Sequence, residues 1–121
     1  MHKSRLCAVT IDCEKGDLDV ASRFWSGALG RPEREREGNY VTLEDRDRLI
    51  VLLQRVDHPS RVHLDLETDD MEAEVRRLEA LGAKRVAQVR TWWVMEAPTG
   101  QRFCVCRPQR GPLGDDANTW P

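Results

Sequence analysis

The chain has 121 residues, enough for one compact domain with a modest core. Apolar residues make up 40% and charged residues 33%; acids and bases interleave to a net charge of −2, so no basic face offers itself to nucleic acid. No apolar run approaches the ~20 residues of a membrane span, and none follows the basic N-terminal residues, which predicts a cytoplasmic protein with no membrane partner.

In chain order, residues 5–13, "RLCAVTIDC", alternate and read as a strand. Residues 17–29 read as a helix: Asp17 can cap it, Val20, Ala21, Phe24, Trp25, Ala28 and Leu29 make its apolar stripe, and Gly30 with Pro32 stops it. The charged run "RPEREREG" (31–38) has room for a short edge strand. Two strands, 39–44 and 48–56, are joined by a turn at "DRD" (45–47), and "DHPS" (57–60) is a linker.

The pattern then begins again. Residues 61–67 form a strand and 70–81 a helix, which Asp69 and Glu72 start as a capping-box-like pair. Met71, Val75, Leu78 and Leu81 form its buried stripe, Glu72 and Arg76 an i, i+4 ion pair, and Gly82 closes it. Strands follow at 84–89, 91–96 and 101–107, the last two flanking the turn "APTG". The order β-α-β-β-β thus occurs twice. "VTIDCEKGDL" (9–18) overlies "VHLDLETDDM" (62–71) with a constant shift, from Thr10 to His63, of 53 residues. That shift pairs Asp12 with Asp65, Glu14 with Glu67 and Asp17 with Asp70. The fold class is therefore α+β: module one at about 5–56, the linker, module two at about 61–108 and a tail at 109–121, where Trp120 is expected on a mobile end.

On strand 61–67, Val62, Leu64 and Leu66 fall on one face, and His63, Asp65 and Glu67 on the other. His63 has three readings: a hydrogen-bonded structural histidine, a contact for an anionic or hydroxylated ligand, or a general acid–base. Asp65 could orient it, but Asp12 occupies the same place in module one with no histidine before it, which favours a structural job for both acids. Trp92 and Trp93 are adjacent, so they face opposite ways and one of them can line a binding site; Tyr40 and Met95 are weaker lining candidates. His2 and His58, in terminus and linker, carry no site argument. Cys7, Cys13, Cys104 and Cys106 form no C-x-x-C pair and read as buried thiols.

The segments "DVASRFWSGALGRP", "RVHLDLETDDMEAEVRRLEALGAKRV" and "WWVMEAPTGQRFCVCRP", with the repeat, resemble the glyoxalase/bleomycin-resistance/dioxygenase (vicinal oxygen chelate) superfamily, and most closely its small bacterial glyoxalase-like proteins. The resemblance implies a curled, mostly antiparallel sheet around a cavity, and a homodimer. In metal-dependent members the first and last strands of each module offer His, Gln or Glu to one divalent ion. The matching positions here are Thr10, Leu52 or Gln54, His63 and Cys104. Only His63 is a good ligand, so a divalent metal is disfavoured and no cofactor is expected. A Cys104/His63/Cys106 zinc site is the weaker reading, because cysteines at i, i+2 on an apolar strand ordinarily pack. The expected function is binding of a small organic molecule without a complete metal site, as bleomycin-resistance proteins resemble in layout, with His63 as the catalytic candidate and Thr10, Gln54, His63, Trp93 and Cys104 as ligand-binding residues. The rival is a metal-dependent lyase or dioxygenase using His63, Gln54 and Cys104.

Overall fold

The computed structural model describes residues 1–45 and 47–121. Among them the chain forms β1 (His2–Cys13), α1 (Leu18–Leu29), β2 (Glu33–Glu37), β3 (Tyr40–Leu43), β4 (Ile50–Arg55), β5 (Arg61–Thr68), α2 (Met71–Ala80), β6 (Lys84–Val89), β7 (Trp92–Glu96), β8 (Arg102–Cys106) and β9 (Asn118–Trp120). The two β-α-β-β-β modules and the α+β class are as the sequence predicts. The turn expected over 45–47 includes Arg46, which lies outside the described residues.

The chain divides into two compact units, a central one of Ala8–His63 and a terminal one of Met1–Cys7 with Leu64–Pro121. The divisions fall inside β1 and β5.

In the central unit, β1 pairs with β4 in parallel, and β4–β3 and β3–β2 pair antiparallel. Ile11, Val41, Leu43, Val51 and Leu53 project to one side and meet Ala21 of α1, with Cys13, Leu18 and Trp25 around them. Asp17 caps α1 by accepting the Val20 N–H at 2.9 Å, and Gly30 ends it in the left-handed region at φ 67°. The predicted apolar stripe is only half used. Val20, Phe24 and Leu29 are 52%, 61% and 45% exposed, because the 12-residue helix meets the sheet along the Ala21–Trp25 line alone.

In the terminal unit, β5 pairs with β8 in parallel, and β8–β7 and β7–β6 pair antiparallel. Val75 and Leu78 of α2 close over Met95 and Val105, with Leu66, Met71, Trp93 and Phe103 packed against them. Leu81, expected in the stripe, is 67% exposed: it lies past the last helical turn, as the cap residue. The N-cap is Asp70, which accepts the Ala73 N–H at 3.1 Å, one residue beyond the Asp69 expected from the capping-box spacing. Asp69 instead accepts the Lys3 N–H at 2.8 Å. Gly82 follows at φ 109°, and a Cβ there would come within 2.9 Å of the Pro98 ring.

The tail is held rather than loose. β9 pairs antiparallel with the start of β1, setting Trp120 opposite His2. The Trp120 indole N–H donates to Ser4 Oγ at 2.8 Å, and the Arg77 guanidinium stacks 3.9 Å above the ring. A three-residue strand carries too little alternation to be read from sequence.

Candidate functional site

Because Ile11, Val51 and Leu53 face α1, their neighbours Thr10, Asp12, Leu52 and Gln54 face the other way, out of the central unit's helix-free side. The register completes the surface: Thr10 stands beside Leu52 and Asp12 beside Gln54 on the parallel ladder, and Tyr40 and Thr42 lie opposite Gln54 and Leu52. The Gln54 amide N–H donates to Tyr40 Oη at 3.0 Å.

Asp12 is 2% exposed, and a buried carboxylate requires partners. Its Oδ2 accepts from His63 Nδ1 at 2.8 Å. The His58 Nε2 and Arg61 Nε atoms lie farther from the same oxygen, each at 3.8 Å. Its Oδ1 is buried with no hydrogen-bond partner among the described residues. A proton held on Nδ1 by the carboxylate makes Nε2 the basic nitrogen of a neutral imidazole, the tautomer that acid–base work needs. His63 itself is largely covered, its side chain 14% exposed.

Asp12 is thus an acid placed to orient His63. Sequence reasoning gave Asp12 a structural task because no histidine precedes it, but the histidine it serves is 51 residues away. In sequence, His58 reads as a linker residue and Arg61 as the first residue of a strand. Their signal was proximity to His63 in a segment that also opens β5, which is only weak information.

Cys13, beside Asp12 in β1, is partly buried against the α1 cluster. Burial, reinforced by the neighbouring Asp12 carboxylate, pushes its thiol up, away from the reactive thiolate form. A shallow cleft of about 240 Å³ runs along α1, lined mainly by Ile11, Val20, Phe24, Trp25 and Lys15, and reaches Asp12.

The remaining predicted site residues belong to the terminal unit. Trp93, expected to line the site, packs instead with the apolar cluster under α2, where the Arg85 guanidinium lies 5.1 Å from its ring. Alternation sends Trp92 to the opposite side of β7. Met95 is wholly buried in the same cluster. Cys104 stands in register with Asp65, on the face away from α2, and among the described residues none of Cys7, Cys13, Cys104 and Cys106 is in a disulfide.

On that face the dominant group is Glu67, wholly buried and fully engaged. The Arg5 Nε–H donates to Oε1 at 2.5 Å, the Gln109 backbone N–H donates to Oε2 at 2.6 Å, and Arg110 Nε lies at 3.5 Å. Burial alone would raise its pKa; the Gln109 N–H and the Arg5 guanidinium overcome that and hold the carboxyl below the usual range. On the α2 side Glu74 is treated likewise: burial opposes ionisation, and Arg77, then His2, reverse it. His2 Nε2 lies 2.8 Å from Glu74, so this terminal histidine is a buried structural partner.

This fold and this helix-free face define a glyoxalase-type module pair. The chain belongs to the glyoxalase-like domain family, whose model matches residues 8–106, and so to the glyoxalase/bleomycin-resistance/dioxygenase superfamily. Among solved structures it is similar to methylmalonyl-CoA epimerase from Mycobacterium tuberculosis, at 19% identity over 85% of this chain and 87% of that one, with a TM-score of 0.67. A hypothetical protein from Bacillus halodurans C-125 superposes with a TM-score of 0.70 at 11% identity, over 92% of this chain and 99% of that one. A superfamily member from Vibrio splendidus 12B01 does so with a TM-score of 0.58 at 19% identity, over 87% and 99%. At these identities the likeness establishes the fold. No curated protein matches the chain in sequence.

Within the central unit, the positions that match metal ligands in members of the superfamily are Thr10, Leu52 or Gln54, and His63. Thr10 offers a hydroxyl, Leu52 a hydrocarbon, and Gln54 a neutral amide oxygen, its N–H being the group that bonds Tyr40. Of these residues, only His63 supplies a strong donor for a divalent transition ion. Among the described residues no helix is long and apolar enough to cross a membrane.

Proposed function

We propose that this protein binds a small organic molecule on the helix-free face of the central unit and moves a proton on it through His63, without a metal. The observation that carries the reading is the 2.8 Å hydrogen bond from His63 Nδ1 to a buried aspartate. Nature rarely buries a carboxylate and leaves one oxygen unpartnered unless the arrangement serves a site. Asp12 fixes the tautomer and steadies the imidazolium formed when Nε2 takes a proton. Thr10 and Gln54 add a hydroxyl and an amide for orientation, while Leu52 and the Tyr40 ring offer apolar contact. The epimerase similarity is compatible with proton transfer and names no substrate here. The same reading takes the protein to be a cytoplasmic homodimer that binds no nucleic acid.

The test is a thermal-shift and tryptophan-fluorescence screen of small organic compounds, followed by binding to Asp12→Asn and His63→Gln. Both variants are expected to weaken or abolish the response, and proton–deuterium exchange on a bound hit should fall by about 10- to 100-fold in Asp12→Asn. Unchanged binding and exchange in both would remove the reading. One observation favours the metal-dependent rival: Asp65 stands in register with Cys104, a carboxylate beside a thiol. Metal near one ion per chain that survives purification, and a fold loosened by chelation, would select that rival.

A further inference from the structure

Arg61 opens β5 two residues before His63, so strand alternation gives both side chains the same face. Its Nε lies 3.8 Å from Asp12 Oδ2, beyond hydrogen-bond range, and its side chain is 49% exposed. A guanidinium carries five N–H donors in a planar fork. Here none of them makes a hydrogen bond among the described residues. Arg31, Arg36, Arg77 and Arg85 each donate to a carboxylate at 2.9 Å or less. An arginine held beside an acid–base pair with its fork unspent is suited to a ligand's own oxygens.

Charge narrows the class. The Arg61 fork presents parallel N–H donors and one fixed positive charge, the arrangement that the two oxygens of a carboxylate match in both geometry and charge. Leu52 and Tyr40 on the same face supply contact for an organic body. We infer that this face selects a small organic carboxylate, with Arg61 as the residue that reads its charge. The inference rests on the proton-transfer reading above and names the substrate class for it.

The test is an NMR titration of the full chain, following the side-chain signals of Arg61 and His63 and the backbone amides of Thr10 and Gln54. Acids are paired with amides of the same skeleton at millimolar concentration: phenylacetate with phenylacetamide, pyruvate with pyruvamide, malonate with malonamide. Inorganic phosphate serves as the comparison anion. At least one acid is expected to move these signals and to bind about tenfold or more tightly than its amide. Arg61→Gln should abolish that preference, and Arg61→Lys should keep part of it. Arg61 is half exposed, so neither change threatens the fold. Equal binding of acid and amide, an undiminished preference in Arg61→Gln, or phosphate binding as tightly as the best acid would each overturn the substrate class and leave the binding face standing. If no compound moves the signals of Thr10, Gln54 and His63, the class and the underlying site reading fall together.

Discussion

Asp12 in the central unit and Glu67 in the terminal unit are both strand carboxylates with almost no solvent exposure, yet their oxygens are treated differently. Glu67 has donors on both: Arg5 and, at longer range, Arg110 on Oε1, and the Gln109 N–H on Oε2. Asp12 has His63 on one oxygen and, among the described residues, no hydrogen-bond partner on the other. A buried acid with every lone pair engaged holds a fold together. One left partly unsatisfied keeps capacity for a proton donor that arrives later. Burial alone therefore does not separate a structural acid from a functional one; the completeness of its partners does.

The sharpest way to break this contrast is to neutralise each acid in turn. Glu67→Gln removes the buried charge that Arg5 and Arg110 face, leaving Asp116 on Arg5, and is expected to cost about 2–3 kcal/mol in urea unfolding. Asp12→Asn keeps an acceptor for His63 and should cost no more than about 1 kcal/mol while damaging function. Equal losses would erase the distinction.

Acid should act through the terminal unit. Glu67 and Glu74 both titrate below the usual carboxylate range when folded. As pH falls, the unfolded chain takes up these protons first. Their stabilisation is thus complete above the ordinary glutamate value of ~4.3 and is lost as pH drops through the lower folded values. Thermal melts from pH 7 to pH 3 are expected to show a falling midpoint, and Glu67→Gln should flatten that limb.

Smaller effects sharpen the terminal unit's side of the picture. Trp120→Ala removes the stacked Arg77 contact and the hydrogen bond to Ser4, and should lower stability by about 1–2 kcal/mol and speed amide exchange at Ser4, which pairs with β9. At the low end, Arg76→Ala breaks only the exposed pair with Glu72 and should leave the unfolding midpoint in place.

Much of the fold was legible because its signals are local. Asp17 and Asp70, related by the internal repeat, both prove to be helix N-caps, and Gly30 ends α1 where a left-handed residue was needed. On β1 and β4, alternation separates Thr10 and Gln54 from the buried Ile11 and Leu53. Alternation could not say which of Trp92 and Trp93 turned inward, since each has a ring fit to be buried. The Asp12–His63 bond was hidden for a different reason: it joins one module's acid to a histidine that opens the other, and no local pattern encodes such a partner. The tail was missed because its anchoring comes from Arg77, Ser4 and Glu67, all far away in sequence.

One detail of the terminal unit reaches beyond this chain. At Gly82 the backbone sits at φ 109° with the Pro98 ring where a side chain would go. An ancestor or descendant that gained a larger residue at 82 would have had to relinquish the proline as well. The two positions are thus expected to covary through the lineage, and a collection of homologous sequences would reveal that history as a paired exchange rather than two independent drifts.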